Sequence, residues 1–138
     1  MMNKTLLMLF FFVSALAFSQ DDTIKVPKIG IKIALGETVE LNGVAVKFSE
    51  VLEDSRCPAQ VECIWEGRIR IHVEVGRVND DSSIKELIFG KVRLQETAEK
   101  TIYTASEMMI EGIAVTPYPK EAGEKLDYCL VVNVKKPE

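Results

Sequence analysis

Histidine occurs once in the 138 residues, at His72, and tryptophan once, at Trp65. A lone imidazole leaves a hydrolytic triad one candidate base, and it excludes the His-Glu-x-x-His pair of zinc hydrolases. There is no Gly-x-Ser-x-Gly elbow and no glycine-rich strand-to-helix turn to cradle a phosphate. Lys and Arg number 17 against 21 Asp and Glu, a formal net charge of −4. No stretch is dense enough in cations to follow a phosphate backbone, so nucleic acid is not an expected partner. Aromatic residues make up 7% of the chain, and four of its six Phe fall within residues 1–19. A flat aromatic sugar platform is therefore not expected. With one His, the three cysteines would form a zinc site only if none were spent on a disulfide. Neither a metal nor a cofactor is expected.

The one long apolar run is at the N-terminus. Lys4 is followed by Leu6 to Val13 without interruption, then by Ser14 and Ala15-Leu16-Ala17-Phe18-Ser19. A cut after Ser19, with Ala17 three residues before it, fits the small-x-small pattern of a signal peptide. The apolar segment is about 13 residues, against the roughly 20 a spanning helix needs. Gln20-Asp21-Asp22 follows in place of a stop-transfer pattern. Residues 1–19 are read as a signal peptide and 20–138 as an exported β-domain, periplasmic or extracellular, with no membrane span once the leader is removed. Export delivers Cys57, Cys63 and Cys129 to an oxidising compartment, where a close pair of cysteines joins.

Period two dominates the rest. Ile29, Ile31, Ile33 and Leu35 alternate with polar or small residues, as in a strand with one buried face. Val39 and Leu41 lead to Asn42-Gly43, then Val44, Val46 and Phe48, a strong signal for a two-residue hairpin. Apolar parity then shifts to Val51, which predicts a bulge near Ser49-Glu50. The clearest strand carries Ile69, Ile71, Val73 and Val75 on a core face, with Arg68, Arg70, His72 and Glu74 on a wet one. A polar loop at 79–83 precedes a strand from Ile84 to Phe89, Gly90 bends the chain, and Val92 with Leu94 suggests another short strand. Residues 96–107 carry no clear pattern. Met108 to Val115 reads as a strand ended by Pro117-Tyr118-Pro119, whose prolines lack ladder donors. The last strand turns Leu126, Tyr128, Leu130, Val132 and Val134 inward. Seven or eight short strands without helical periodicity predict one all-β domain, an antiparallel sandwich or small barrel.

The segment from Glu53 to Gly67 stands apart, with two cysteines, the only Trp, acids, an Arg, a Pro and a Gly. A turn at Pro58 can bring the α-carbons of Cys57 and Cys63 to the ~5.5 Å that a disulfide requires. Closing so short a loop contributes about 2 kcal/mol from chain entropy, so the bond should fix one loop and not hold the domain together. Trp65 shares the parity of Ile69 and Ile71, which predicts an indole over the end of the core with its N–H on an acceptor. Asp54 and Arg56 can pair across the loop base or hold backbone groups. A purely structural role, stapling a long crossover, competes with a functional one.

The string Glu-Asp-Ser-Arg-Cys-Pro, followed by Val61, Cys63, Trp65 and Gly67, together with Pro117-Tyr118-Pro119 and Asp127-Tyr128, resembles a family of small exported bacterial proteins. The resemblance covers about 20 residues around the loop and the two short later motifs. It implies export, a compact β-rich domain and a Cys57–Cys63 bridge, and it brings no catalytic residue. Cys129 lies outside the motif. It reads as a small hydrophobe under a covering loop, in a monomer, with a Cys129-linked dimer as the alternative.

The expected function is a non-enzymatic exported binding or interaction domain. It would contact a protein or peptide through Asp54, Arg56, Gln60 and Trp65 on a loop fixed to a rigid sheet. On that reading, replacing Arg56 and Gln60 by Ala should remove binding and leave the melting temperature nearly unchanged. The alternative is a protease inhibitor inserting the Pro58–Glu62 segment. A small hydrolase would need two acids from among Glu50, Glu53, Asp54 and Glu66 in one cleft.

Overall fold

The computed structural model describes residues 29–138; the leader read over residues 1–19, and residues 20–28 after it, lie outside that range. Eight strands follow in chain order: β1 (Ile31–Ala34), β2 (Thr38–Leu41), β3 (Val44–Asp54), β4 (Arg68–Arg77), β5 (Ser83–Gly90), β6 (Thr101–Thr104), β7 (Met109–Thr116) and β8 (Cys129–Lys135). They form two four-stranded sheets, ordered β1-β8-β7-β6 and β2-β3-β4-β5, with every pairing antiparallel. The sheets pack face to face as an open sandwich and do not close into a barrel. No helix occurs among the described residues.

Local chemistry explains most of the first half. Asn42 and Gly43 take φ of 51° and 82°, so the β2–β3 hairpin closes on a two-residue turn with both positions left-handed. Val44, Val46 and Phe48 then alternate into the core. The β3–β4 register shifts between Phe48 and Glu50, where a bulge is expected, and again between Val51 and Glu53. The second shift decides the end of the strand. It sets Glu53 opposite Arg70 and Asp54 opposite Ile69. Opposed residues share a face, so Asp54 points between the sheets and Glu53 points away from them.

Ile33, Val46, Phe48, Ile71, Val73, Ile102, Ile110, Leu130 and Val132 are wholly buried between the layers. Each contributes about 1.5–3 kcal/mol relative to exposure, so an aliphatic core holds the domain together. The ends of the first alternating run lie outside it. Ile29 and Leu35 flank a strand only four residues long and are exposed.

Three expectations fail locally. Val92 and Leu94 form no strand; the chain from Lys91 to Lys100 is a loop, and Leu94 is 96% exposed. β6 instead lies at 101–104, in the stretch without a clear pattern. Arg68 is not on a wet face: it is 2% exposed, enclosed by Glu53, Glu96 and the carbonyl of Lys91. The 91–100 loop crosses the outer face of the sheet at that point because Arg68 holds it there. Leu126 and Tyr128 precede β8 and do not belong to it.

Candidate functional site

The loop from Ser55 to Gly67 leaves β3 and returns as β4 at one end of the sandwich. Its base is polar and buried. The carboxylate of Asp54 accepts from Arg56 Nε at 2.8 Å and Nη2 at 2.7 Å, and from the Arg56 backbone N–H at 3.3 Å. Side-chain exposure is 13% for Asp54 and 8% for Arg56. The second Asp54 oxygen also accepts from the hydroxyl of Tyr128 at 3.0 Å. Arg56 Nη1 donates to the carbonyl of Val115 at 2.9 Å, and Nη2 to that of Pro117 at 3.2 Å. Both carbonyls belong to the β7 end of the opposite sheet. The planar fork of arginine satisfies one carboxylate and two carbonyls at once, which a lysine ammonium cannot do in this geometry.

The pKa shifts follow from those contacts. Burial pushes the Asp54 carboxyl upward, but the hydrogen bonds from Arg56 and Tyr128 and the Arg56 charge outweigh it, and the net shift is down. Tyr128 is raised, by burial first and then by donating to an anion. The expected pairing of Asp54 with Arg56 is therefore present, and it faces inward. The polar atoms of both residues are engaged within the chain, so truncating Arg56 is expected to cost stability, contrary to the expectation from the sequence.

The first half of the loop is clamped several times over. The Tyr118 hydroxyl donates to the Cys57 carbonyl at 2.7 Å, and its ring lies 5.2 Å from the Arg56 guanidinium carbon. Ala59 N–H donates to Pro119 C=O at 3.0 Å and Gln60 N–H to Lys120 C=O at 3.3 Å. Val61 N–H closes a turn on Pro58 C=O at 3.0 Å. That turn is not the extended backbone a protease-binding segment presents, so the inhibitor reading gains no support from it. Gly67 completes the base. A β-carbon there would meet the Ser55 carbonyl, and would stand 2.7 Å from Arg56 Cα and 2.9 Å from Cys57 N. The two ends of the loop cross backbone against backbone, and only glycine fits.

Cys57 and Cys63 are joined, with a Cα–Cα distance of 5.9 Å. The bridge matters most for the second half, residues 62–66. Among the described residues that stretch makes no backbone hydrogen bond outside itself, and its one ion pair there is the exposed Glu66–Lys91 contact at 3.6 Å. Here the apolar side chains face water: Ile64 is 99% exposed, Trp65 63%, and Val61 is exposed as well. Trp65 does not cover the core, as its parity suggested. β4 starts only at Arg68, and alternation cannot be carried back through Gly67, where the chain has left the sheet. Gln60 is exposed. Of the four candidates, Asp54 and Arg56 form the buried base, and Gln60 and Trp65 stand on the surface. Ile64 was missed; its signal is its place beside Trp65 in Glu-Cys-Ile-Trp-Glu.

A second ionic cluster lies on the outer face. Arg68 donates through Nε and Nη2 to Glu53 at 3.0–3.2 Å and through Nη1 to Glu96 at 2.6 Å, while Arg70 reaches Glu86 at 2.6 Å. The hydrogen bonds from Arg68 hold Glu53 down at about 2, against burial, with help from Ser55 and Arg70. A general acid needs the opposite shift. Glu50 faces His72 at 3.5 Å, and Glu66 faces Lys91. The four acids suggested for hydrolysis thus do not share one cleft, and each faces a different basic side chain. No group of three or more His, Cys, Asp or Glu among the described residues is placed to hold a metal ion. Cys129 is half-buried on β8, opposite Ala34 and Thr116, outside the disulfide.

Beside the loop, a groove of about 320 Å³ opens between the sheets, lined by Arg56, Ile69, Phe89, Ile113, Val115 and Tyr118. It exists because β6 is short. β6 pairs only with Met109–Glu111, so the Ile113–Thr116 stretch of β7 has no strand beside it on that edge among the described residues. Comparison with family models, with curated proteins and with solved structures finds no match to this chain. No helix among the described residues is long and apolar enough to cross a membrane.

Proposed function

We propose that the protein is an exported, non-enzymatic recognition domain that binds a protein or peptide partner through the tip of the Cys57–Cys63 loop. One observation carries the reading: the only tryptophan and a neighbouring isoleucine, 63% and 99% exposed, sit on a loop whose base is fixed by a buried Arg56–Asp54 pair and a disulfide. Exposed apolar side chains on a restrained loop contribute contact area without a large loss of chain entropy on binding. Export is supported by the leader pattern at residues 1–19, and a disulfide is compatible with it. The working residues are Val61, Ile64 and Trp65, with Gln60 beside them; Asp54, Arg56 and Gly67 are positioning residues.

The test is quantitative capture from the native exported fraction by the immobilised protein and by an Ile64→Ser, Trp65→Ser chain. The reading expects at least one protein, which can be a further copy of this chain, to be enriched on the first and lost on the second at equal urea midpoints. Identical capture by both would remove the loop tip from the account.

A further inference from the structure

Two unsatisfied features lie at the same end of the sandwich. The first is the protruding pair Ile64-Trp65, bracketed in sequence by the exposed acids Glu62 and Glu66. The second is the groove at Ile69, Phe89 and Ile113, which the chain's own Trp65 does not fill although Gly67, two residues on, lines it. Cations surround that groove. Lys100 Nζ lies 5.4 Å from the centre of the Phe89 ring, and Lys91, next in the chain to Gly90 of the lining, reaches Glu66 with its Nζ at 3.6 Å; the Arg56 guanidinium also lines the groove but is paired with Asp54. An apolar pair flanked by acids therefore meets its complement in an apolar groove flanked by bases, and both belong to this chain.

Resting on the reading of the loop tip as a recognition surface, we infer that its partner is a second copy of the same chain, with Ile64 and Trp65 of each copy seated in the groove of the other. Because wedge and groove share one end of the molecule, a two-fold axis through that end makes both contacts at once. That is the isologous arrangement in which a single surface serves both partners. The Glu66–Lys91 pair within one chain shows the same attraction between the loop acids and the groove cations that would act between copies. Two such contacts form an interface at the small end of the range, so the dimer should be weak and concentration-dependent.

Trp65 is the only tryptophan, so fluorescence reports on this contact alone. The experiment is sedimentation equilibrium with emission spectra on the purified protein, across micromolar to millimolar concentrations. The expected result is a mass rising toward two chains, with emission moving to the blue in step. Trp65→Ala should stay a single chain at an unchanged urea midpoint, and Ile113→Glu, at a half-buried position, should stay a single folded chain with a cooperative unfolding transition. Lysine at Glu62 and Glu66 together should weaken association several-fold. A single-chain mass with water-exposed emission throughout overturns the inference, and retained Trp65-dependent capture of a different protein then leaves the recognition reading standing. Blue emission without a change in mass places Trp65 in its own groove and overturns it too. A dimer that persists in Trp65→Ala and Ile113→Glu does the same.

Discussion

Glu53 and Asp54 are neighbours at the end of β3, and each holds a different arginine on a different side of the sheet. Glu53 meets Arg68 outside at 3.0 Å, and Asp54 meets Arg56 between the layers at 2.7 Å. The alternation of a strand separates the two acids. One pair carries the 91–100 loop across the outer face; the other carries the cysteine loop onto the opposite sheet.

That division predicts how the protein responds to acid. The folded pKa of Glu53 is lowered from 4.5 to about 2, and Asp54 and Glu96 are lowered as well. A lowered carboxylate contributes stability that is complete above its unfolded pKa and is lost as pH falls through the folded one. The urea midpoint should therefore hold above about pH 5 and decline between roughly pH 4.5 and 2. Glu53→Gln should lower the neutral midpoint and flatten the acid limb. Equal acid slopes in the two chains would mean that the Arg68 contact does not perturb Glu53.

Gly67→Ala should cost about 1–3 kcal/mol, because the added methyl meets the backbone of Ser55, Arg56 and Cys57, which cannot swing aside. Gly43→Ala is a useful comparison, since its β-carbon meets nothing within 4 Å and its penalty comes from a φ of +82°. Chemical denaturation of both chains checks the prediction. A Gly67→Ala chain as stable as the parent would show that the loop ends do not cross as described.

The hairpin at Asn42-Gly43, the bulge after Phe48 and the inward face of β4 were legible in the sequence because each is set by neighbouring residues. The failures have long-range causes. The Val92–Leu94 stretch looks like a strand, but the buried Arg68 holds Glu96 of the same loop and the chain crosses the sheet instead. Arg56 and Asp54 were recognisable as a pair two residues apart. The carbonyls that draw Arg56 inward, at Val115 and Pro117, are 59 and 61 positions away and leave no local mark. Trp65 was misplaced by extending the β4 alternation past Gly67.

Replacing both Cys57 and Cys63 by Ser should leave the sandwich folded and cost about 2 kcal/mol, as closing so short a loop contributes. Amide exchange should then rise at residues 62–66, while Ala59 and Gln60 keep the protection of their bonds to Pro119 and Lys120. Global unfolding of the Ser variant, or uniform loss of protection across 57–66, would contradict the two-part loop.

The separation of a buried base from an exposed tip is tested most directly by comparing the urea-unfolding free energies of the Arg56→Ala and Trp65→Ala chains with that of the parent. Arg56→Ala leaves the Asp54 carboxylate buried without its cation and should cost about 3 kcal/mol or more. Trp65→Ala removes a side chain already in water and should stay within about 0.5 kcal/mol of the parent. A Trp65→Ala loss as large as that of Arg56→Ala would make the indole part of the core and contradict the account.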